Sequence, residues 1–238
     1  MTTELEPRGA GLPATRAPDP LDAFQQGTKD DLILPARKLV QGVSRKADIS
    51  KAGQYWDEIG DTYKTEMLVS LIAMKRTRTL FQPNNFEAGP VCASNDAITP
   101  REQAEYQNQK TGPTCEDCPF SQWGSADKGN GRACQFSYVL ICYDLDDSEM
   151  FILRVGGVSR SEWKRYLTKG QRDGTPAYSV QTIISSENRT FTGGKAHVIT
   201  FKSGGLLPED TVEFLQEKAA EFQGVQIAER EVETEPFE

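Results

Sequence analysis

A single histidine, His197, stands among the 238 residues, and the chain has neither a Gly-x-Ser-x-Gly elbow nor a phosphate-binding glycine loop. Acid–base and nucleophilic chemistry therefore lack their usual parts, and the expectation is a protein that is not an enzyme. Long apolar runs are missing as well. The longest, Met67–Met74, is broken by Ser70, far short of the ~20 residues a spanning helix needs, so no membrane partner is expected. No charged-then-apolar leader opens the chain, which points to the cytoplasm. His197 lies in an alternating segment, with Ala196, Val198 and Thr200 against Ile199 and Phe201. That pattern makes it a strand residue rather than a metal ligand.

Cysteine is scarce but concentrated. Of five cysteines, four fall in one polar stretch, as Cys92, then Cys115-Glu116-Asp117-Cys118, then Cys134. A Cys-x-x-Cys turn presents two sulfurs from one knuckle, and zinc completes a tetrahedral cage when two more arrive from elsewhere in the chain. Gly112-Pro113 before the knuckle and Pro119 after it are turn formers. A redox Cys-x-x-Cys would be expected to open a helix after a buried strand, and none precedes this one. Disulfides would need an oxidising compartment. The expected cofactor is therefore structural zinc on Cys92, Cys115, Cys118 and Cys134. A cage closed by four cysteines leaves no open coordination position, so its task is to hold a loop in shape. Cys142, inside an apolar segment, is expected to be a small buried residue.

The net charge of −8 is unevenly placed. Residues 207–238 hold ten acidic against two basic residues, which leaves the rest of the chain near neutral. The low overall pI therefore describes an average and does not exclude a nucleic-acid partner.

Along the chain, residues 1–31 are rich in Pro, Gly, Thr and Asp and are expected to be a disordered arm. Residues 44–65 are expected to cross the body as a loop, with Tyr55 or Trp56 as a packing anchor or a ligand-facing aromatic. Strands are expected at 66–81, 136–143, 149–156, 177–185 and 195–202. The acidic turn Asp144, Asp146, Asp147 and Glu149 joins the second and third, and could bind a cation or stand as a solvated loop. A helix is expected over 159–169, with Ser159 and Glu162 as a capping box, Val158 and Trp163 as a hydrophobic staple and Gly170 as its stop. A last helix should occupy 207–224 and bury Val212, Leu215, Ala219 and Phe222. An acidic disordered tail, 225–238, follows.

Five strands with one helix between the third and fourth is the order of an OB-type barrel. The expected fold is mainly β with α. It is a five-stranded OB-type barrel over 32–206, with a zinc-ribbon insertion at 90–135 between its first two strands, plus the C-terminal helix. This order, with Cys92, Cys115, Cys118 and Cys134, resembles the zinc-bearing DNA-binding domain in the large subunit of replication protein A. The stretch from Pro35 to Phe81, with Leu39-Val40-Gln41-Gly42, is similar to phage-encoded proteins thought to bind single-stranded DNA. The ending Glu235-Pro236-Phe237-Glu238 is similar to the tips of bacterial and phage single-stranded DNA-binding proteins, which recruit replication and repair partners.

The resemblance implies a single-stranded DNA-binding protein of replication or recombination, in a bacterial or phage-infected cytoplasm. It would bind by backbone electrostatics and base stacking. Lys75, Arg76, Arg78 and Phe81 on the first strand, Tyr138 on the second, and Trp123, Lys128 and Arg132 in the ribbon are the expected DNA-binding residues. Glu233, Glu235 and Phe237 would bind replication or recombination proteins, with Phe237 filling an apolar pocket. The alternative is a zinc-ribbon adaptor or regulator that docks on proteins without binding single strands. A carbohydrate-binding barrel shares the topology, since fold does not fix ligand.

Overall fold

The computed structural model of the chain describes residues 34–42, 47–83, 85–127, 129–192 and 194–222. The expected arm (1–31), the acidic tail (225–238) with Glu233, Glu235 and Phe237, and Lys128 lie outside these residues.

The described chain is mainly β with two α-helices. In order come β1 (Ala36–Leu39), β2 (Tyr55–Asp57), β3 (Thr62–Lys64), β4 (Glu66–Gln82), β5 (Asn85–Ser94), β6 (Glu105–Tyr106), β7 (Gln109–Lys110), β8 (Gln135–Asp144) and β9 (Glu149–Gly156). After these come α1 (Arg160–Asp173), β10 (Val180–Phe191), β11 (Gly194–Leu206) and α2 (Glu209–Glu221). The five expected strands are β4, β8, β9, β10 and β11, and the two expected helices are α1 and α2.

β4 is the spine. Its first half is apolar on both faces and its second half alternates cations with Thr; Arg76 is exposed there, but Thr77, Thr79 and Leu80 are buried, so the strand is covered toward both ends. One edge pairs antiparallel with β8 from Val69↔Asp144 to Thr79↔Gln135, with a bulge between Leu71 and Ala73. The other edge is divided: residues 66–69 pair with β10, and residues 78–82 pair with β5. The single strand thus belongs to two packing units, the body and the cysteine lobe.

The main sheet has nine strands, ordered β11-β10-β4-β8-β9-β1-β2-β3 with β5 added to β4, and it is open. The closed five-stranded barrel expected from the sequence is therefore replaced by a longer sheet. The free edge of β9 takes β1 in parallel, and β2 and β3 continue from there. Side chains close the seam where a ladder is missing. Gln41 Nε2 donates to the His197 carbonyl at 2.7 Å, and the His197 amide donates back to Gln41 Oε1 at 3.0 Å. The Tyr55 hydroxyl reaches the Ser185 carbonyl at 2.8 Å. Tyr55 and Trp56 are buried anchors, and residues 55–64 form a hairpin rather than a loop.

β2, β4, β8, β9, β10 and β11 contribute to one core, which includes Tyr55, Met67, Val69, Leu140, Cys142, Phe151, Leu153, Ile184 and Ile199. Trp163 of α1 enters it, with its indole N–H on the Met74 sulfur at 3.3 Å, and Tyr166 and Leu167 pack beside it. The helix differs from expectation at both ends. Ser159 does not cap it; its hydroxyl accepts from the Ile199 amide at 2.9 Å, and Val158 is exposed rather than a staple. Its end is Gly174, at φ 67°, a left-handed position where a side chain would be strained. On the outer face of β4 and β8, α2 buries Leu215 and Ala219 against Ile72 and Ile141, so that part of the surface is closed to ligands.

Candidate metal centre and nucleic-acid interface

β5 carries Cys92 alongside β4, opposite Leu80. Beyond it Asp96 organises a tight turn, accepting from the amides of Ile98 and Thr99 at 2.7 Å each. Those backbone bonds hold its carboxyl down to about 2. The chain then passes through the β6–β7 hairpin to the knuckle. There the Cys115 amide donates to the Ile98 carbonyl at 2.8 Å, and the Thr114 hydroxyl donates to Asp117 at 2.8 Å. Gly112 lies against the knuckle, and a Cβ on it would fall 2.7 Å from the Cys118 backbone. Only glycine fits that approach. The Cys134 amide donates to the Phe120 carbonyl at 2.9 Å as the chain enters β8.

All four cysteines are buried and free. With Leu80, Tyr106 and Phe120, three of them form a small core separate from that of the body. All four border one cavity of about 10 Å³, together with Arg78, Ser94 and Ser121. That is room for one atom, not for a substrate. Among the described residues no group of three or more His, Cys, Asp or Glu side chains is set so that it could hold a metal ion as placed. The sulfurs thus line the cavity without forming a closed cage. Burial, with the neighbouring thiols adding to it, pushes Cys92 up to about 11. Burial also raises Cys115 and Cys134, opposed in both by the charge of Arg78.

The chemistry of the lining fits a thiolate-bound cation. Arg78 Nε and Nη1 are buried and have no hydrogen-bond partner. Donors left in that state need an acceptor, and neutral thiols are poor ones. Four thiolates around a divalent ion would carry net negative charge and could take these bonds.

Beside the lobe lies a cationic surface with aromatic faces. Phe136, which pairs with Arg78 across β4 and β8, has the Arg78 guanidinium 5.7 Å and the Arg160 guanidinium 5.8 Å from its ring centre. Arg132 lies 4.8 Å over the ring of Trp123, which is 70% exposed. Burial lowers the pKa of Arg160, and the nearby charges of Arg132 and Arg78 lower it further. Arg132 Nε is also buried without a partner. Among the described residues no carboxylate pairs with Arg78, Arg132 or Arg160. Three cations held within each other's field, with no carboxylate partner among the described residues, form a surface suited to an anion.

The expected DNA-binding residues are divided by this geometry. Arg76, Arg78, Trp123 and Arg132 lie on or beside the cationic surface, and Phe81 is half-buried at the outer end of β4. Lys75 occupies the opposite face of β4, where burial lowers its pKa. Tyr138 is a correction. It is 7% exposed and packs in the body core, 5.0 Å from the Phe136 ring and 6.4 Å from that of Trp163, so it offers no face for stacking. Arg160 was not singled out. Its helix position reads as solvated, and only the turn at Gly157 and Val158 brings it over Phe136.

The turn carboxylates are likewise not a loose acidic loop. Arg37, 3% exposed, contacts Asp144, Asp147 and Glu149, and its guanidinium stacks 4.2 Å over Phe151. Lys64 reaches Asp144 at 2.8 Å and also Asp147. These carboxylates are thereby committed to fixing β1 and β3 to the β8–β9 turn.

No helix among the described residues is long and apolar enough to cross a membrane. Comparison of the chain with protein-family models, with curated proteins and with solved structures found no match to any of them.

Proposed function

We propose that this chain binds single-stranded DNA, through backbone charge and base stacking rather than by catalysis. The observation that carries this reading is the set Arg78, Arg132 and Arg160, without a carboxylate partner among the described residues, with Arg78 and Arg160 against Phe136 and Arg132 over the exposed ring of Trp123. Guanidinium groups next to aromatic faces suit a strand that alternates phosphates with bases, each stacked base contributing ~1–3 kcal/mol.

Strand order supports an OB-type reading of the body. β4, β8, β9, α1, β10 and β11 follow the OB sequence of elements, and their sheet order β11-β10-β4-β8-β9 is that of an OB barrel opened at one seam. Cys92, Cys115, Cys118 and Cys134 would hold zinc, whose contribution is to fix the lobe that carries Trp123 and Arg132. The acidic end, with Glu233, Glu235 and Phe237, would recruit replication or recombination proteins and compete with DNA for the arginines.

Titration with labelled oligo-dT and with a duplex of equal length, at two salt concentrations, tests the reading. The single strand should bind preferentially, and its affinity should fall with salt. Arg132→Gln combined with Arg160→Gln should abolish most of that binding. The exposure of Trp123 favours a second reading, an adaptor docking on a protein. Absence of oligonucleotide binding at low salt, also after truncation at Glu229, would leave that reading in place of the first.

A further inference from the structure

Arg78 stands between the cysteine cavity and the cationic surface. It lines the cavity with all four cysteines, and its guanidinium lies against Phe136, as does that of Arg160. Two of its nitrogens, Nε and Nη1, are buried without an acceptor. Two orphaned guanidinium donors beside four sulfurs are a shell suited to negative charge.

We propose that Arg78 is a positioning residue that donates to metal-bound thiolates and thereby couples metal loading to nucleic-acid affinity. This rests on the reading of the four cysteines as ligands. Loading replaces four S–H protons with one divalent ion, leaving a complex of net charge −2 and four protons released to solvent; no electron is transferred. The sulfurs become strong acceptors, and Arg78 gains the bonds it lacks. The guanidinium is then held at the edge of Phe136, where it completes the anion surface with Arg132 and Arg160. In the metal-free protein Arg78 has no such anchor, and the surface loses one of its three fixed charges.

The test uses the full chain loaded with zinc or with cobalt(II), and the variants Arg78→Met, Arg78→Lys and Arg160→Met. The readouts are metal content, metal release to a chromogenic chelator, the cobalt–thiolate absorption bands, and affinity for oligo-dT. Arg78→Met is expected to keep one metal per chain but to release it about tenfold to a hundredfold faster, with shifted cobalt bands. Arg78→Lys should restore part of the retention. Arg160→Met should leave metal release and spectrum unchanged while weakening oligo-dT binding. Wild-type release rates and bands in both Arg78 variants would overturn the coupling while leaving the metal site intact. Less than one metal per wild-type chain would overturn the metal reading and the coupling with it. Metal effects as expected, without oligo-dT binding by any form, would uphold the Arg78–thiolate contact and overturn its link to nucleic acid. Should Arg78→Met fail to fold, Arg78→Lys gives the same comparison.

Discussion

Arg37 holds the largest concentration of charge in the body, and it does so from a short strand. Its guanidinium is 3% exposed, Asp144 is fully buried, and Asp147, Glu149 and Lys64 complete the network. Removing one partner of such a set leaves buried charge uncompensated, a loss of about 3–5 kcal/mol. Arg37→Met is therefore expected to lower the urea midpoint by that equivalent, whereas Arg165→Met, whose side chain is 77% exposed, should shift it by less than ~0.5 kcal/mol. Acid dependence follows from Asp144. Burial works to raise its pKa, but bonds from Lys64, Arg37 and two backbone amides outweigh that and hold it below the ordinary carboxylate value. A depressed folded pKa contributes stability that is complete above the unfolded value, about pH 4, and is lost as pH falls through the folded one. The stability of Arg37→Met should consequently fall less steeply below pH 4 than that of the wild type, as read from denaturation midpoints. Nothing in the local sequence identifies this network. Asp144 to Glu149 reads as a solvated turn because its counter-charges stand 80 or more residues earlier, on strands that meet the turn only in three dimensions.

At the scale of elements, legibility tracks pattern length. β4, β8, β9, β10, β11 and the two helices carry enough period-2 or helical repeat to be read from residues alone, and the β8–β9 hairpin ends where its turn residues say. β1 is hinted at by the short strand-like stretch through Leu39 and Val40, whereas β2 and β3, three residues each, are not readable as strands, since so short a run carries no periodicity. The opened seam follows from them: with β1 on the edge of β9, a five-strand closure has no place to form. The convergence of the four cysteines on one cavity was legible because it is written in their spacing, while Arg160 and the burial of Tyr138 depend on crossings that spacing does not encode. Helix α2 illustrates the easier case. Leu215 is fully buried against Ile72 and Ile141, so Leu215→Ala should cost about 2–5 kcal/mol, or detach the helix, as seen in far-UV dichroism and thermal midpoint. In the knuckle, Gly112→Ala should place a methyl group against the Cys118 backbone and reduce metal retention while leaving the thermal midpoint of the body almost unchanged.

For the molecule as a whole, the division of β4 between two packing units has a consequence for stability. The body core draws on β2, β4, β8, β9, β10, β11 and α1, with none of the four clustered cysteines in it, whereas the lobe core is a few residues around those sulfurs. So small a core has little hydrophobic stabilisation of its own, and on the proposed reading it would depend on a bound cation. Chelation is therefore expected to open the lobe locally and spare the body. In hydrogen exchange, amides of residues 91–94 and 98–134, among them the Cys115 and Cys134 amides now bonded to Ile98 and Phe120, should lose protection on metal removal. Those of β8–β11 should keep theirs. Because Trp123 and Arg132 ride on the lobe while Arg160 is fixed to α1, the same treatment would separate the cations that the folded lobe holds together, and oligonucleotide affinity should fall in parallel with lobe protection. Uniform loss of protection across lobe and body would mean that β4 transmits unfolding along its whole length and that the two cores form one cooperative unit.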